Sequence, residues 1–237
     1  MGSRTKRIGV LFVQSQEFFG ADSQIHASIM KHLCRRRFDV HCAIPSPQFG
    51  VACASAEALS RVSDLQLRPT EFGPTLEADS QGERISRILK RSLPAIVSLL
   101  GLARYARTHG IRIVHCTEKP RDVMSGMLIS KLSGARCVVH VHVKAETWIR
   151  PVVRRLMHDA TALIGVSAFV AQSLRELGYD SNTVFAVLNG LEFSDWIGAV
   201  DDESRIRAEF RIAPTTPLIV TASRLYRFKG QHDLLQA

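Results

Sequence analysis

Short apolar runs punctuate the chain at 8–13, 40–44, 111–115, 137–143, 162–166, 184–188 and 218–222. Most are near-continuous Val, Ile and Leu rather than alternating, which predicts strands covered on both faces of a parallel sheet. Segments of helical period lie between them. Ile25, Ile29, Met30 and Leu33 share one helical face. Residues 123–132 and 166–177 read the same way, the latter opened by Ser167 as an N-cap and closed before Gly178. A longer basic stretch, 82–109, predicts a helix that Pro94 either kinks or divides into two. Strand and helix in alternation imply an α/β fold built on a doubly wound parallel sheet.

Two stretches depart from this rhythm. Residues 45–83 are rich in Pro, Gly, Ser and Glu and predict loop and short helix, with a weak strand near Leu65–Leu67. From 190 to 217 the apolar period lapses, and Asp201, Asp202 and Glu203 precede a short helix. Pro217 then introduces a fresh apolar run. The division that follows is a first domain over 1–190, a linker over 191–216 and the start of a second domain over 217–237. A single strand at that point has no neighbour to satisfy its backbone or cover its faces.

The 46% hydrophobic content supports a packed core. The five cysteines, at 34, 42, 53, 116 and 137, show neither CxxC nor zinc-ligand spacing, so buried thiols in a reducing compartment are expected. The basic start and the short apolar run at 8–13 do not make a secretory leader, and no stretch reaches the ~20 apolar residues of a membrane span. A cytoplasmic protein, at most peripheral to the inner face of a membrane, is expected. Lys and Arg number 31 against 22 Asp and Glu, a net charge of +9 that favours an anionic partner. No basic patch interleaved with aromatics appears, so phosphates or lipid headgroups fit better than nucleic acid.

Three segments taken together resemble the large retaining group called family 4 glycosyltransferases, of GT-B fold. The first runs from Ile8–Val13 through Phe19-Gly20-Ala21-Asp22 to Arg37-Phe38-Asp39-Val40. The second joins Ile113-Val114-His115 to Gly134 and the strand ending at His142. The third passes from Ala162 and Ser167 through Asn189-Gly190 to Arg224-Leu-Tyr-Arg-Phe-Lys229-Gly230. The resemblance covers nearly the whole chain. It implies two Rossmann-like domains, the second cut short here, with the family's paired-glutamate donor motif falling beyond 237.

Residue by residue, the resemblance implies a metal-free transfer of a hexose from a nucleotide diphosphate sugar to a carbohydrate or lipid-linked acceptor, with retained anomeric configuration and no cofactor. Gly20 would let backbone N–H groups approach an anion at a helix N-terminus. This chain has Phe19 where the family has a first glycine. His142, at the carboxyl end of its strand, would lie beside the transferred sugar as the catalytic residue. His140 shares its strand face. Arg224 and Lys229 would hold the donor diphosphate and stabilise it as the leaving group. Asn189 and Gly190 are read as a structural turn, Ser167 as a helix cap, and His115 as a structural or acceptor-side residue.

Two alternatives stay open. One is another GT-B enzyme such as a sugar-nucleotide epimerase. The other is a non-catalytic truncated domain that binds a phosphorylated ligand, a partner or a membrane surface. The arginines of 82–109, with Arg150, Arg154 and Arg155, suggest peripheral contact with an anionic membrane. The chain as it stands is expected to be inactive without a completed second domain.

Overall fold

The computed structural model describes residues 7–47, 52–73, 81–146, 149–190, 192, 202–223 and 225–237. The chain divides into two compact units, Met1–Gly190 and Leu191–Ala237.

The first unit is an α/β domain with strands β1 (Ile8–Val13), β2 (Phe38–Pro45), β3 (Gln66–Thr70), β4 (Ile111–Thr117), β5 (Arg136–Val141), β6 (Ala162–Gly165) and β7 (Val184–Ala186). They form one seven-stranded sheet in the order β3-β2-β1-β4-β5-β6-β7, and every neighbouring pair is parallel. Helices α1 (Ala21–His32), α2 (Ala54–Ser60), α3 (Gln81–Thr108), α4 (Pro120–Ser133), α5 (Pro151–His158) and α6 (Ala168–Glu176) connect the strands. From β1 the chain winds outward to β2 and β3. It then returns to lay β4 against the opposite edge of β1 and winds the other way. The reversal makes β1 and β4 the switch point, where open α/β sheets bind ligands at their carboxyl ends.

Alternation along each strand sorts side chains to two faces. Leu11, Val13, Val114, Val139, Val141 and Leu163 belong to the larger core, closed by Leu102, Ala106, Met127 and Val153 from the helices. Val10, Phe12, Val40, Cys42 and Ile44 belong to a smaller core with Met30 of α1 and Leu59 of α2.

Local chemistry explains the helix ends. Pro starts α4 and α5, where its missing N–H costs nothing. Gly134 closes α4 with φ 79°, a conformation that favours glycine. Ser167 Oγ accepts from Val170 N at 3.2 Å, capping α6. Pro94 lies inside α3, which runs through as one helix.

Several expectations need correction. Of the apolar stripe on α1, Met30 is buried and Ile29 and Leu33 pack partly buried against the smaller core, but Ser23 and His26 are also buried, because part of α1 covers polar side chains of the sheet. Helix α5 had not been anticipated. Cys42, Cys116 and Cys137 are buried, but Cys34 is exposed and Cys53 partly so. In the second unit, α7 (Asp202–Glu209) and α8 (Gln231–Gln236) form as helices. The run 218–222 is no strand: its backbone is irregular, with Ile219 and Val220 exposed. An apolar run becomes a strand only where a neighbouring strand takes its hydrogen bonds. No described helix is long and apolar enough to cross a membrane.

Candidate functional site

The segments that follow β1, β4 and β5 converge at the switch point. The loop after β1 is tied to the start of α4 from both sides. Ser15 N donates to Asp122 Oδ1 at 2.9 Å, and Arg121 donates to Ser15 O at 2.6 Å. Asp122 is fully buried and also accepts from Thr117 Oγ1 at 2.6 Å. Burial raises its carboxyl pKa, and the bonds from Ser15 and Thr117 act against that rise. The carboxylate thus holds three chain segments in register beneath the crevice.

Above this brace, Lys119 Nζ pairs with Asp22 in the first turn of α1 and sits 5.5 Å from the centre of the Phe18 ring. Gly20 caps α1 with φ −92° and ψ −176°, an extended conformation. A Cβ at Gly20 would lie 2.8 Å from the Phe18 ring and 3.1 Å from Asp22 Oδ1, so the glycine keeps a close approach open.

Four imidazoles cluster beneath this point, between α1 and the sheet. His26 comes from α1, His115 from β4, His140 from β5 and His142 from just beyond β5. His26 is wholly buried, and His115 and His140 nearly so. The His26 ring centre lies 4.9 Å from that of His115, 5.4 Å from His140 and 5.4 Å from His142. Phe12 stacks on His115 at 4.8 Å. His115 Nε2 and His140 Nδ1 are 3.4 Å apart. Neither ring nitrogen of His26 has a hydrogen-bond partner, nor do His140 Nε2 and His142 Nε2.

Burial keeps these rings neutral. It holds His115 down at about 4 and His140 at about 3, with neighbouring imidazoles adding to both shifts. His26 is pushed well below the ordinary histidine value by burial and then by the other three rings. His142 is lowered chiefly by burial, with Asp22 acting in the opposite direction. Glu118 responds in reverse: burial pushes its carboxyl up to about 7, against bonds from its own backbone and His142 N and the nearby Lys119 charge. Its Oε2 accepts from His142 N at 3.3 Å. A carboxyl poised near neutrality therefore fixes the backbone of the residue expected to face the sugar.

The structure thus brings Gly20, His115, His140 and His142 together at one sheet edge. Ser167 caps α6, after a different strand, β6. Asn189 and Gly190 lie exposed at the end of the first unit, without positive φ. Lys229 is on the second unit, exposed, at the end of a 3-10 turn over Arg227–Lys229. Arg224 lies outside the described residues. Gly230 closes that turn with φ 71° and begins α8. Sequence reasoning missed His26, Glu118, Lys119 and the Asp122 brace. The one available signal was a histidine within the periodic stretch 25–33.

A doubly wound parallel sheet with polar side chains gathered at its switch point defines the Rossmann-like α/β class. The model of the glycosyl transferase 4-like domain family matches residues 23–190, and the chain belongs to that family. Among solved structures, the chain is similar to Anabaena Alr3699/HepE in complex with UDP and glucose. The TM-score is 0.71 at 16% identity, over 97% of this chain and 57% of that one. Acinetobacter baumannii MurG gives a TM-score of 0.54 at 11% identity, over 89% of this chain and 50% of that one. A UDP-N-acetylglucosamine 2-epimerase gives 0.51 at 11% identity, over 76% and 48%. These likenesses establish the fold. The chain spans a little over half the length of the HepE chain it matches. No curated protein sequence matches it.

Proposed function

We propose that the chain serves in the transfer of a hexose from a nucleotide diphosphate sugar to a carbohydrate or lipid-linked acceptor, with retention of configuration. The observation that carries this reading is the group of neutral imidazoles and the Lys119–Asp22 pair at the carboxyl ends of β1, β4 and β5, in a chain of the glycosyl transferase 4-like family. Support for a nucleotide-sugar donor comes from HepE, whose structures hold UDP and UDP-glucose. The epimerase likeness is weaker in both TM-score and coverage.

In this reading, His142 contacts the transferred sugar and Glu118 positions it by accepting from its backbone N–H. A neutral imidazole can accept from a sugar hydroxyl or donate to one without introducing charge. Gly20 and the N-terminus of α1 face an anionic or polar group of the ligand. Lys229 and Arg224 of the second unit bind the donor diphosphate and stabilise it as it leaves. The test is ligand-observed NMR of the chain with uridine, guanosine and adenosine diphosphate sugars. Binding of one of them, weakened at least ~10-fold (about 1.4 kcal/mol) in both His142→Ala and Lys229→Ala, is expected. Unchanged binding in both variants, or no binding across the panel, overturns the reading.

The same proposal includes a peripheral contact with an anionic membrane. On α3, Leu93, Ile96, Val97 and Leu100 are exposed at helical spacing, and Arg104 and Arg107 follow on exposed positions. An apolar face edged by cations suits an interface containing acidic lipid. Sedimentation with phosphatidylglycerol vesicles should fall as salt rises and should be lost in Leu93→Glu/Val97→Glu. Equal sedimentation with phosphatidylcholine vesicles argues against an electrostatic contact.

A further inference from the structure

We propose that His26, His115 and His140 form a binding site for one divalent transition-metal ion of the zinc class, which fastens α1 to the sheet. One ligand nitrogen from each ring can be chosen so that all three lie within 4.8 Å of one another, and all three residues are buried. The residues are far apart in sequence, on α1, β4 and β5, so no ligand spacing could reveal them.

Two observations favour an ion over mutual hydrogen bonding. First, His115 Nε2 and His140 Nδ1 stand 3.4 Å apart. That is long for an N–H···N bond, but it matches the ~3.3 Å between two nitrogens on a tetrahedral ion with metal–nitrogen bonds of about 2.0–2.1 Å. Second, both nitrogens of His26 lack a partner although the residue is wholly buried. In proteins generally most buried polar atoms are satisfied, so an orphaned buried imidazole calls for an ion or a water. Given an ion, imidazole donors select zinc, copper, nickel or iron over the oxygen-seeking magnesium and calcium.

The fourth position falls to a water or another small ligand, since the three clustered rings supply only three donors. Metal-bound histidines usually donate their other N–H to a carboxylate or carbonyl. His26 has no such partner, so affinity rests on the imidazoles alone and should be modest. The role is structural: the ion would satisfy the orphan nitrogens of α1 and act as a polar fastener where an apolar face would otherwise be required. The proposal is independent of glycosyl transfer, because it can be tested without a nucleotide.

The full chain, stripped with a chelator and dialysed, is titrated with Zn2+ in competition with a chromogenic chelator, and with Co2+ followed by visible absorption. About one ion per chain is expected, with the intense absorption of four-coordinate cobalt and a rise in Tm that a chelator reverses. His26→Phe, His115→Phe and His140→Phe should each weaken Zn2+ binding at least ~10-fold. Phenylalanine keeps an aromatic ring on each site, and circular dichroism checks that each variant is folded. His32→Ala and His158→Ala, at exposed positions outside the cluster, should bind as the parent does. If a phenylalanine variant does not fold, the cobalt spectrum and Tm shift of the parent decide. Absence of zinc and cobalt binding, a six-coordinate cobalt spectrum, or binding that survives in every folded cluster variant overturns the proposal.

Discussion

The two faces of the sheet at its centre are built from different materials. On one, Leu11, Val13, Val114, Val139 and Val141 are buried against the helices of the larger core. On the other, Phe12 continues into His115 on β4, His140 on β5 and His26 on α1, with ring centres 4.8–5.6 Å apart along that path. Both faces are equally shut off from water, yet only the first is held mainly by transfer of hydrocarbon. The second retains polar atoms that must stay neutral and find partners. The first is the scaffold, and the second is the part whose state depends on proton and ligand.

Substitution should separate them most sharply. Leu11→Ala removes three buried carbons from the apolar face and should cost about 3 kcal/mol at any pH, read by urea unfolding. The imidazole face should instead respond to acid. His115 has a folded pKa of about 4 against ~6.5 in the unfolded chain, so the unfolded state binds more protons between those values. Stability is full above pH 6.5 and declines as pH falls, by about 3 kcal/mol for this group alone near pH 4. His140, at about 3, continues the decline to lower pH.

Glu118 works against that slope. Its folded pKa of about 7 exceeds the unfolded value of ~4.5, so its burial costs stability progressively above pH 4.5 and reaches a plateau beyond pH 7. Glu118→Gln keeps an acceptor for His142 N and should stabilise the chelator-treated protein by about 2 kcal/mol at pH 8, with no gain near pH 4.5. A gain that is the same at both pH values would mean that the carboxyl charge is not the cause.

The contrast also explains what the sequence could and could not disclose. The runs at 8–13, 111–115 and 162–166 announced β1, β4 and β6 because a strand covered on both faces must be apolar throughout. The run at 218–222 has the same composition and remains irregular, since pairing is a property of neighbours and not of the run. Helix α5 was not legible, since Ile149, Val153 and Met157 recur at four-residue spacing but give only three apolar positions interrupted by three arginines. The pairing of His140 with His142 on one strand face followed from period-two geometry, and their ring centres lie 4.4 Å apart. That His26 completes the group depends on how α1 lies across β4 and β5, a long-range relation no local pattern encodes. The Asp122 brace was hidden for the same reason, since its partner Ser15 is 107 positions away.

The smallest expected change in stability separates backbone geometry from ligand contact at Gly20. Its extended φ and ψ suit any residue, so no left-handed conformation demands glycine here. Space is the constraint, because an added Cβ meets the Phe18 ring at 2.8 Å. Phe18 is 55% exposed and its ring can swing outward, so Gly20→Ala should cost less than ~1 kcal/mol, most of it from a poorer N-cap. Gly165 offers the reverse case: a Cβ there would lie 2.5 Å from the backbone N of Ala171, and α6 itself would have to move. If a ligand anion approaches the start of α1, as the proposed function requires, the methyl group at Gly20 stands in its path. Binding of whichever nucleotide sugar the panel identifies should then fall at least ~10-fold while the unfolding midpoint barely shifts. Unchanged affinity in a folded Gly20→Ala variant would reduce Gly20 to a turn residue and move the anion-facing role to the Lys119 side of the crevice.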